Sequence, residues 1–402
     1  MTSSADFPPI DFESFHSDTL PSWLRQGRGR LAASGASHLS ALAFRLVEGP
    51  AFTYRPCPGG VEIAAGDDAA ATVIEIALDA WQGLVHELEA AAGLVYAGRI
   101  RCVRGAAVDL MAWESTLRTL YNGRPPYDPA RVELRDRDGR LLDPAATFTA
   151  DADRDDLVHF LRTAGYLFVR DVFHPEEVAG FLAEAEELRR EARQGDKLSW
   201  WGKTVAGEEV LCRVTRGTAK PRLATLPAAP RVLALAALAD EPVVYKKGEG
   251  EGVTVIFKRP DVHQGLGDLP WHRDCGMGGH AVMCPTLLIS VYLREATPET
   301  GELVMLPGSH RCAFNAHDAT DPTPYAAHFA ARPGDVSLHY GDTVHAAPRP
   351  TAPDREHYRI SAVVSFAPAR AHHHLGHASY NDVLHQREDG QIEHLEAVAK
   401  RL

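Results

Sequence analysis

Two histidines and an aspartate stand in this chain at a spacing suited to holding a metal. Trp271-His272-Arg273-Asp274 supplies a His-x-Asp pair, Val344-His345 follows well downstream, and Arg359 lies beyond it. Two imidazoles and one carboxylate fill one face of an octahedral iron(II) and leave the other positions for substrate and oxygen. His272 and Asp274 point the same way if the backbone between them is extended, because side chains alternate along a strand. A third ligand so far along the chain requires distant strands to become neighbours, as in a barrel. With 20 histidines in the chain, the plain alternative is a His–Asp hydrogen-bonded pair beside an unrelated histidine. Context favours the triad, since His345 follows Pro333-Gly334-Asp335 and the apolar run Val336–Leu338. His339 is a rival third ligand, read here as a neighbour supporting the site.

Arg359 lies in Tyr358-Arg359-Ile360-Ser361-Ala362-Val363-Val364, which alternates as a half-buried strand should. That favours it over Arg355 as a bidentate clamp on the far carboxylate of a 2-oxo acid, the geometry a guanidinium fork matches. The alternative is a surface arginine on an edge strand. Ser361 points to the same side and is a candidate helper. Lys258, closing Val253–Phe257, reads equally as a co-substrate contact or a strand-end lysine. Pro307-Gly308-Ser309-His310 reads as tight-turn chemistry rather than a ligand. His372-His373-His374 with His377 reads as an exposed loop, and Trp200 and Trp201 suit either a substrate mouth or packing.

These residues need strands to hold them. From Val243 onward short apolar runs alternate with Gly and Pro turns: Val243–Lys247, Val253–Lys258, Thr286–Leu293, Glu302–Leu306, Val336–Tyr340 and Tyr358–Phe366. Such a series predicts a sandwich or barrel. Helices precede it, around Leu157–Leu161 ending at Gly165 and over Glu176–Arg193 after Pro175. Residues 41–125 read as a small α+β unit. It contains a hairpin across Pro58-Gly59-Gly60, a strand over Ala71–Leu78, helices over Ala80–Ala91 and Ala107–Tyr121, and a strand over Arg99–Arg104. Residues 1–40 read as a flexible lead-in, 126–152 as a linker, 153–385 as the metal-bearing domain and 386–402 as a C-terminal tail.

Composition narrows the function class. The chain has 402 residues, 45% of them hydrophobic and 24% charged, with a formal net charge of −12. Acidic balance argues against nucleic acid or anionic membrane surfaces as partners. The six cysteines are scattered and form no Cys-x-x-Cys pair, which suits reduced thiols. The first residues lack the basic start and apolar run of a signal peptide. The longest apolar stretch, Leu223–Tyr245, is interrupted by Pro227, Pro230, Arg231, Asp240 and Pro242, so a short helix rather than a membrane span is expected. The expectation is a soluble cytoplasmic protein acting on a small molecule.

From about Asp155 to Ser379 the chain resembles the phytanoyl-CoA dioxygenase family of Fe(II)/2-oxoglutarate-dependent oxygenases. The resemblance rests on Phe160–Val169, Phe257-Lys258-Arg259-Pro260, Trp271–Asp274, Thr297–Leu303 leading into Pro307–His310, Pro333-Gly334-Asp335, His339 to His345, and Arg359. It implies an α+β protein with a double-stranded β-helix (jelly-roll, cupin-like) core and flanking helices. It further implies His272, Asp274 and His345 as iron ligands, Arg359 as the 2-oxoglutarate partner, and O2 as oxidant. The sequence departs from the family in Ala346-Ala347, where Gly-Ser or Gly-Ala is usual, and in a slightly long gap to Arg359. Residues 45–125 resemble a sterol-carrier-type lipid-transfer domain, through Phe52-Thr53-Tyr54, Gly59-Gly60-Val61, Thr72–Ile76, Asp79-Ala80-Trp81 and Ala97-Gly98-Arg99-Ile100. That implies an apolar tunnel and a lipid-like substrate. Because Asp274 occupies a ligand position, hydroxylation is expected over halogenation. Two readings compete: a non-catalytic lipid-binding protein on the same fold, and a cupin-type metalloenzyme that does not use 2-oxoglutarate.

Overall fold

The computed structural model describes residues 7–245, 252–262, 269–274, 286–314, 321–351, 356–368 and 395–402. Arg355 and the histidines at 372–374 and 377 lie outside them.

The first unit is a five-stranded sheet: β1 Leu42–Leu46, β2 Ala51–Cys57, β3 Gly60–Ala65, β4 Thr72–Ile76 and β5 Ile100–Arg104, in the order β3-β2-β1-β4-β5. Only β1 and β4 pair in parallel. Gly59, with φ of 85°, makes the β2–β3 turn that an L side chain would resist. Helix Val108–Asn122 packs across the unit and ends at Gly123, which is left-handed. The expected helix over Ala80–Ala91 is instead two, Leu78–Val85 and Ala91–Tyr96, with Glu87 at φ 57° in the break.

Residues 12–36 are not a flexible lead-in. They form consecutive helical turns that bury Phe12, Phe15, Leu20, Ala32 and Ala36 in the same core as Trp81, Trp113 and Tyr121. Polar composition hid an apolar face that the five-stranded sheet needs covered. The chain's end joins this unit too: helix Leu395–Ala399 buries Ala399 in its core, and the Cys102 amide donates to the Leu402 carbonyl.

His16 is buried here, with Nδ1 on the Phe12 carbonyl and Nε2 on the Tyr54 hydroxyl, each at 2.7 Å. Burial pulls its pKa down to about 4. A group whose folded pKa is depressed binds more protons unfolded, so stability falls as pH drops from about 6.5 towards 4, by at most about 3 kcal/mol. The thermal midpoint should fall over that window and fall less steeply in His16→Gln. Equal slopes would remove His16 from the account.

The second unit contains β6 Phe148–Thr149, β7 Tyr166–Arg170, β8 Ser199–Lys203, β9 Glu209–Val214, β10 Val243–Tyr245, β11 Val253–Phe257, β12 Leu269–His272, β13 Leu287–Tyr292, β14 Val304–Met305, β15 Ala327–His328, β16 Val336–Tyr340, β17 His345–Ala347 and β18 Ile360–Pro368. Among the described residues they form a nine-stranded sheet ordered β6-β7-β16-β13-β18-β11-β9-β8, with β10 also on β18, and a four-stranded sheet ordered β12-β17-β14-β15. The strand pairing Phe148 with Val169 lies in the expected linker.

Alternation splits the large sheet into two chemistries. Leu338, Ile289, Val364 and Val255 share one face and join Val178, Phe181 and Leu188 of helix Pro175–Glu191 in a single apolar cluster. The opposite face carries Ser337 and His339 of β16, Ser290 and Tyr292 of β13, Ser361 of β18 and Thr254 of β11. Helices cover the first face; the candidate site lies on the second. Gly334, at φ 97°, permits the turn into β16, where a Cβ would stand 2.4 Å from the Phe173 carbonyl.

Candidate metal centre

The small sheet brings the ligand set together. β12 and β17 pair antiparallel with His272 opposite His345, and β14 pairs on the other side of β17 with Met305 opposite His345. Asp274 sits two residues past the end of β12, outside the strand. Ligand-type atoms of His272, Asp274 and His345 all lie within 4.8 Å of one another. His272 Nε2 is 3.7 Å from Asp274 Oδ1, and His345 Nε2 is 3.6 Å from Asp274 Oδ2. Metal–nitrogen and metal–oxygen bonds near 2.1 Å put neighbouring donors about 3.0 Å apart at right angles, so a small inward shift closes the set on an ion.

Hydrogen bonding fixes what these groups present. His272 Nδ1 lies 2.8 Å from the Pro270 carbonyl, and His345 Nδ1 lies 2.9 Å from the Thr343 carbonyl. A carbonyl only accepts, so each Nδ1 carries a proton and Nε2 is the nitrogen each ring offers a metal. Both Nε2 atoms and the Asp274 carboxylate converge on one point, a donor set that suits a cation. Burial, reinforced by His272 and His339, pulls the His345 pKa well below its ordinary value. Burial alone would push Asp274 up, but His345, His272 and His339 more than offset it and hold the carboxyl well below the usual range. Neutral imidazole and ionised carboxylate are the states a metal takes.

His339 does not join this set. Its Nε2 stands 3.2 Å from Asp274 Oδ2 and donates to it, orienting the carboxylate from the floor of the large sheet. His310 also stands apart, with Nε2 3.1 Å from the Arg162 carbonyl and its ring stacked on Tyr340, in keeping with a turn role.

Arg359 precedes β18 and is 5% exposed. Its amide donates to the Thr300 carbonyl at 2.9 Å, and its carbonyl accepts from Lys258 at 3.0 Å. Among the described residues no carboxylate forms an ion pair with its guanidinium, and Nε is buried without a hydrogen-bond partner. Burial pulls its pKa down while Tyr292 and Glu302 pull it up. Such a cation is costly to bury unless an anion meets it, and this one stands ready for a carboxylate. Ser361 is buried opposite Tyr292, two residues along on the same side. Lys258 donates its Nζ to the Ala347 carbonyl of β17. It thus links the Arg359 backbone to the His345 strand.

The sequence reading missed several groups. Tyr292 and Ser337 share a 3.0 Å hydrogen bond on the site face. Arg213 lies in the transverse row of Ser361 and Ile256, with its guanidinium 4.3 Å over the Trp200 ring, so Trp200 packs beneath a cation. Asp342, Arg124 and Glu87 were also missed; as lone charges in unremarkable context they carry no motif.

The comparisons with known proteins bear on this segment. Residues 161–356 match the family model of phytanoyl-CoA dioxygenase (PhyH). Ectoine dioxygenases of Bordetella parapertussis and Bordetella bronchiseptica are each 28% identical over 166 residues, 40% of this chain and 51% of theirs. The chain thus spans about half the length of these curated relatives. The structure of the non-heme alpha ketoglutarate dependent epimerase SnoN from nogalamycin biosynthesis is 23% identical, covering 60% of this chain and 91% of that one, with a TM-score of 0.45. EctD from S. alaskensis, solved with 2-oxoglutarate and 5-hydroxyectoine, is 22% identical, covering 61% and 86%, with a TM-score of 0.44.

Proposed function

We propose that this chain, whose residues 161–356 match the family model of phytanoyl-CoA dioxygenase (PhyH), is a non-haem Fe(II)/2-oxoglutarate-dependent oxygenase hydroxylating a C–H bond of a small molecule. The observation that carries the reading is the convergence of two imidazole Nε2 atoms and one carboxylate on one point, with each Nδ1 held by a backbone carbonyl. The buried Arg359 guanidinium, whose Nε has no hydrogen-bond partner among the described residues, supports the co-substrate assignment. The large and small sheets supply the two walls of a double-stranded β-helix, with 153–385 as the catalytic domain and 41–125 as a separate fold unit.

His272, Asp274 and His345 hold the metal. His339 fixes the Asp274 carboxylate by donating to its Oδ2. Arg359 pairs the distal carboxylate of 2-oxoglutarate through its fork, with Ser361 beside it. When bound, iron(II) and 2-oxoglutarate supply the oxygen activation and C–H cleavage, leaving succinate and carbon dioxide. The polypeptide orients these reagents, and its helix-backed sheet keeps bulk water from one side of them.

The test is succinate release from protein reconstituted with Fe(II), 2-oxoglutarate and O2 across ectoine-type solutes, acyl-thioesters, lipids and small natural products. A compound that raises succinate and gains one oxygen atom is the expected result. Turnover with another divalent metal and no need for 2-oxoglutarate would replace this reading with a cupin-type enzyme.

A further inference from the structure

Five ionisable side chains are buried together where the two units meet: Glu87, Arg118 and Arg124 from the first, Arg273 and Asp342 from the second, each at most 6% exposed. We infer that the N-terminal unit is a positioning part of the metal centre, acting through Arg124 and Glu87. The inference rests on the metal reading above and extends it outside the PhyH match.

Arg273 lies between His272 and Asp274, and its side chain makes its contacts apart from the ligand set. There it donates to the Ser309 carbonyl at 3.0 Å and the Cys312 carbonyl at 2.5 Å, and approaches Asp342 to 4.0 Å. Asp342 occupies the turn before His345. Arg124 stands 3.5 Å from Asp342 and 3.5 Å from Glu87, and donates to the His310 carbonyl at 3.4 Å. One arginine of the first unit therefore reaches both stretches that deliver ligands: the His272–Asp274 segment by way of Asp342 and Arg273, and the His345 strand through Asp342.

The backbone repeats the connection. Ala313 donates to the Pro125 carbonyl at 2.8 Å, Tyr127 donates back to the Ala313 carbonyl at 2.7 Å, and its hydroxyl reaches the Pro307 carbonyl at 3.0 Å. The turn so held carries Ser309, whose hydroxyl accepts from the Val344 amide at 2.8 Å. Residues 124–127 are thus docked on the site's support and are no free linker.

Glu87 adds a second, independent observation. It is a non-glycine at φ 57°, a conformation that costs on the order of 1 kcal/mol. The strained turn directs a buried carboxylate at Arg124. Buried ion pairs gain little net stability over apolar packing, but removing one partner leaves a charge stranded. What this cluster supplies is geometry, since Arg124 has defined partners on both sides of the junction, Glu87 on one and Asp342 and the His310 carbonyl on the other.

The test uses the full-length protein and cobalt(II) alone, followed by its visible ligand-field bands. Arg124→Ala should weaken Co(II) affinity about 10- to 100-fold and alter the bands, as loss of groups behind metal ligands does; Arg124→Lys should recover part of the loss. Glu87→Gln should act in the same direction by a smaller factor. Tyr121→Phe, in the core of the same unit, should lower the unfolding midpoint but keep parental affinity and bands. Parental Co(II) affinity in both Arg124→Ala and Glu87→Gln overturns the inference, and so does an equal loss in Tyr121→Phe. A parental protein that takes no Co(II) in a His345-dependent way overturns the metal reading together with it.

Discussion

His345→Ala is expected to abolish iron binding and reduce succinate formation by at least about 10³-fold, to the level of protein-free controls, with the fold intact. The residue is 4% exposed and opens β17, between His272 on β12 and Met305 on β14. Truncation removes one of three donors, and the remaining His272 and Asp274 cannot define a face of an octahedral ion. The structural cost is modest by comparison. The Thr343 carbonyl loses its Nδ1 partner, worth about 1–3 kcal/mol when a buried group is left unsatisfied. Removing a lone pair that faces the Asp274 carboxylate 3.6 Å away offsets part of that. Far-ultraviolet circular dichroism should match the parent, while Co(II) titration shows no specific site. Succinate formation above a few per cent of parental rate would sink the ligand assignment and make His339, already 3.2 Å from Asp274, the next candidate.

The convergence of His272, Asp274 and His345 was legible because the pattern is local in type and ordered in sequence. His-x-Asp needs only extended backbone, and the apolar run Val336–Leu338 before His345 marks a strand by composition alone. Val336–Tyr340 forms over the expected residues, and helix Pro175–Glu191 differs by two or fewer at each end. Other features were illegible for physical reasons. Residues 12–36 bury their aromatics through irregular helical turns, so no single period emerges. The helix break at Glu87 arises because the chain turns back there, with Glu89 so close to Gly83 that a Cβ would stand 2.3 Å from its Cγ. That is tertiary crowding, which no propensity encodes. The Arg124–Asp342–Arg273 contacts join residues far apart in the chain by charge alone, and isolated Asp and Arg residues are usually solvated. His310 and Arg273 illustrate the difference: one sits in a turn motif that announces itself, the other hides its role behind the ligands on either side.

Arg359→Ala should raise the 2-oxoglutarate concentration needed for half-maximal turnover by about 10²-fold or more, with a much smaller fall in the rate at saturation. A buried, hydrogen-bonded charge pair that loses one partner costs about 2–5 kcal/mol, and about 3 kcal/mol corresponds to a factor of roughly 10². The effect belongs mainly to binding because the guanidinium meets the end of the co-substrate remote from the metal, where no charge develops during oxidation. Arg359→Lys should fall between parent and alanine: an ammonium keeps the charge but cannot offer two parallel N–H donors to a carboxylate. The alanine variant should fold, because Arg359 makes no ion pair with the described residues and its backbone bonds to Thr300 and Lys258 do not involve the side chain. Deleting a buried cation that has no counter-ion among the described residues should leave the metal-free protein as stable as the parent, or more so. Stability maintained while co-substrate affinity collapses is therefore the specific signature. An unchanged requirement for 2-oxoglutarate would shift the clamp to Lys258 or Arg355. Of these, Lys258 already donates to the Ala347 carbonyl, so its recruitment would require that bond to break, and Lys258→Met would then reproduce the loss that Arg359→Ala failed to give.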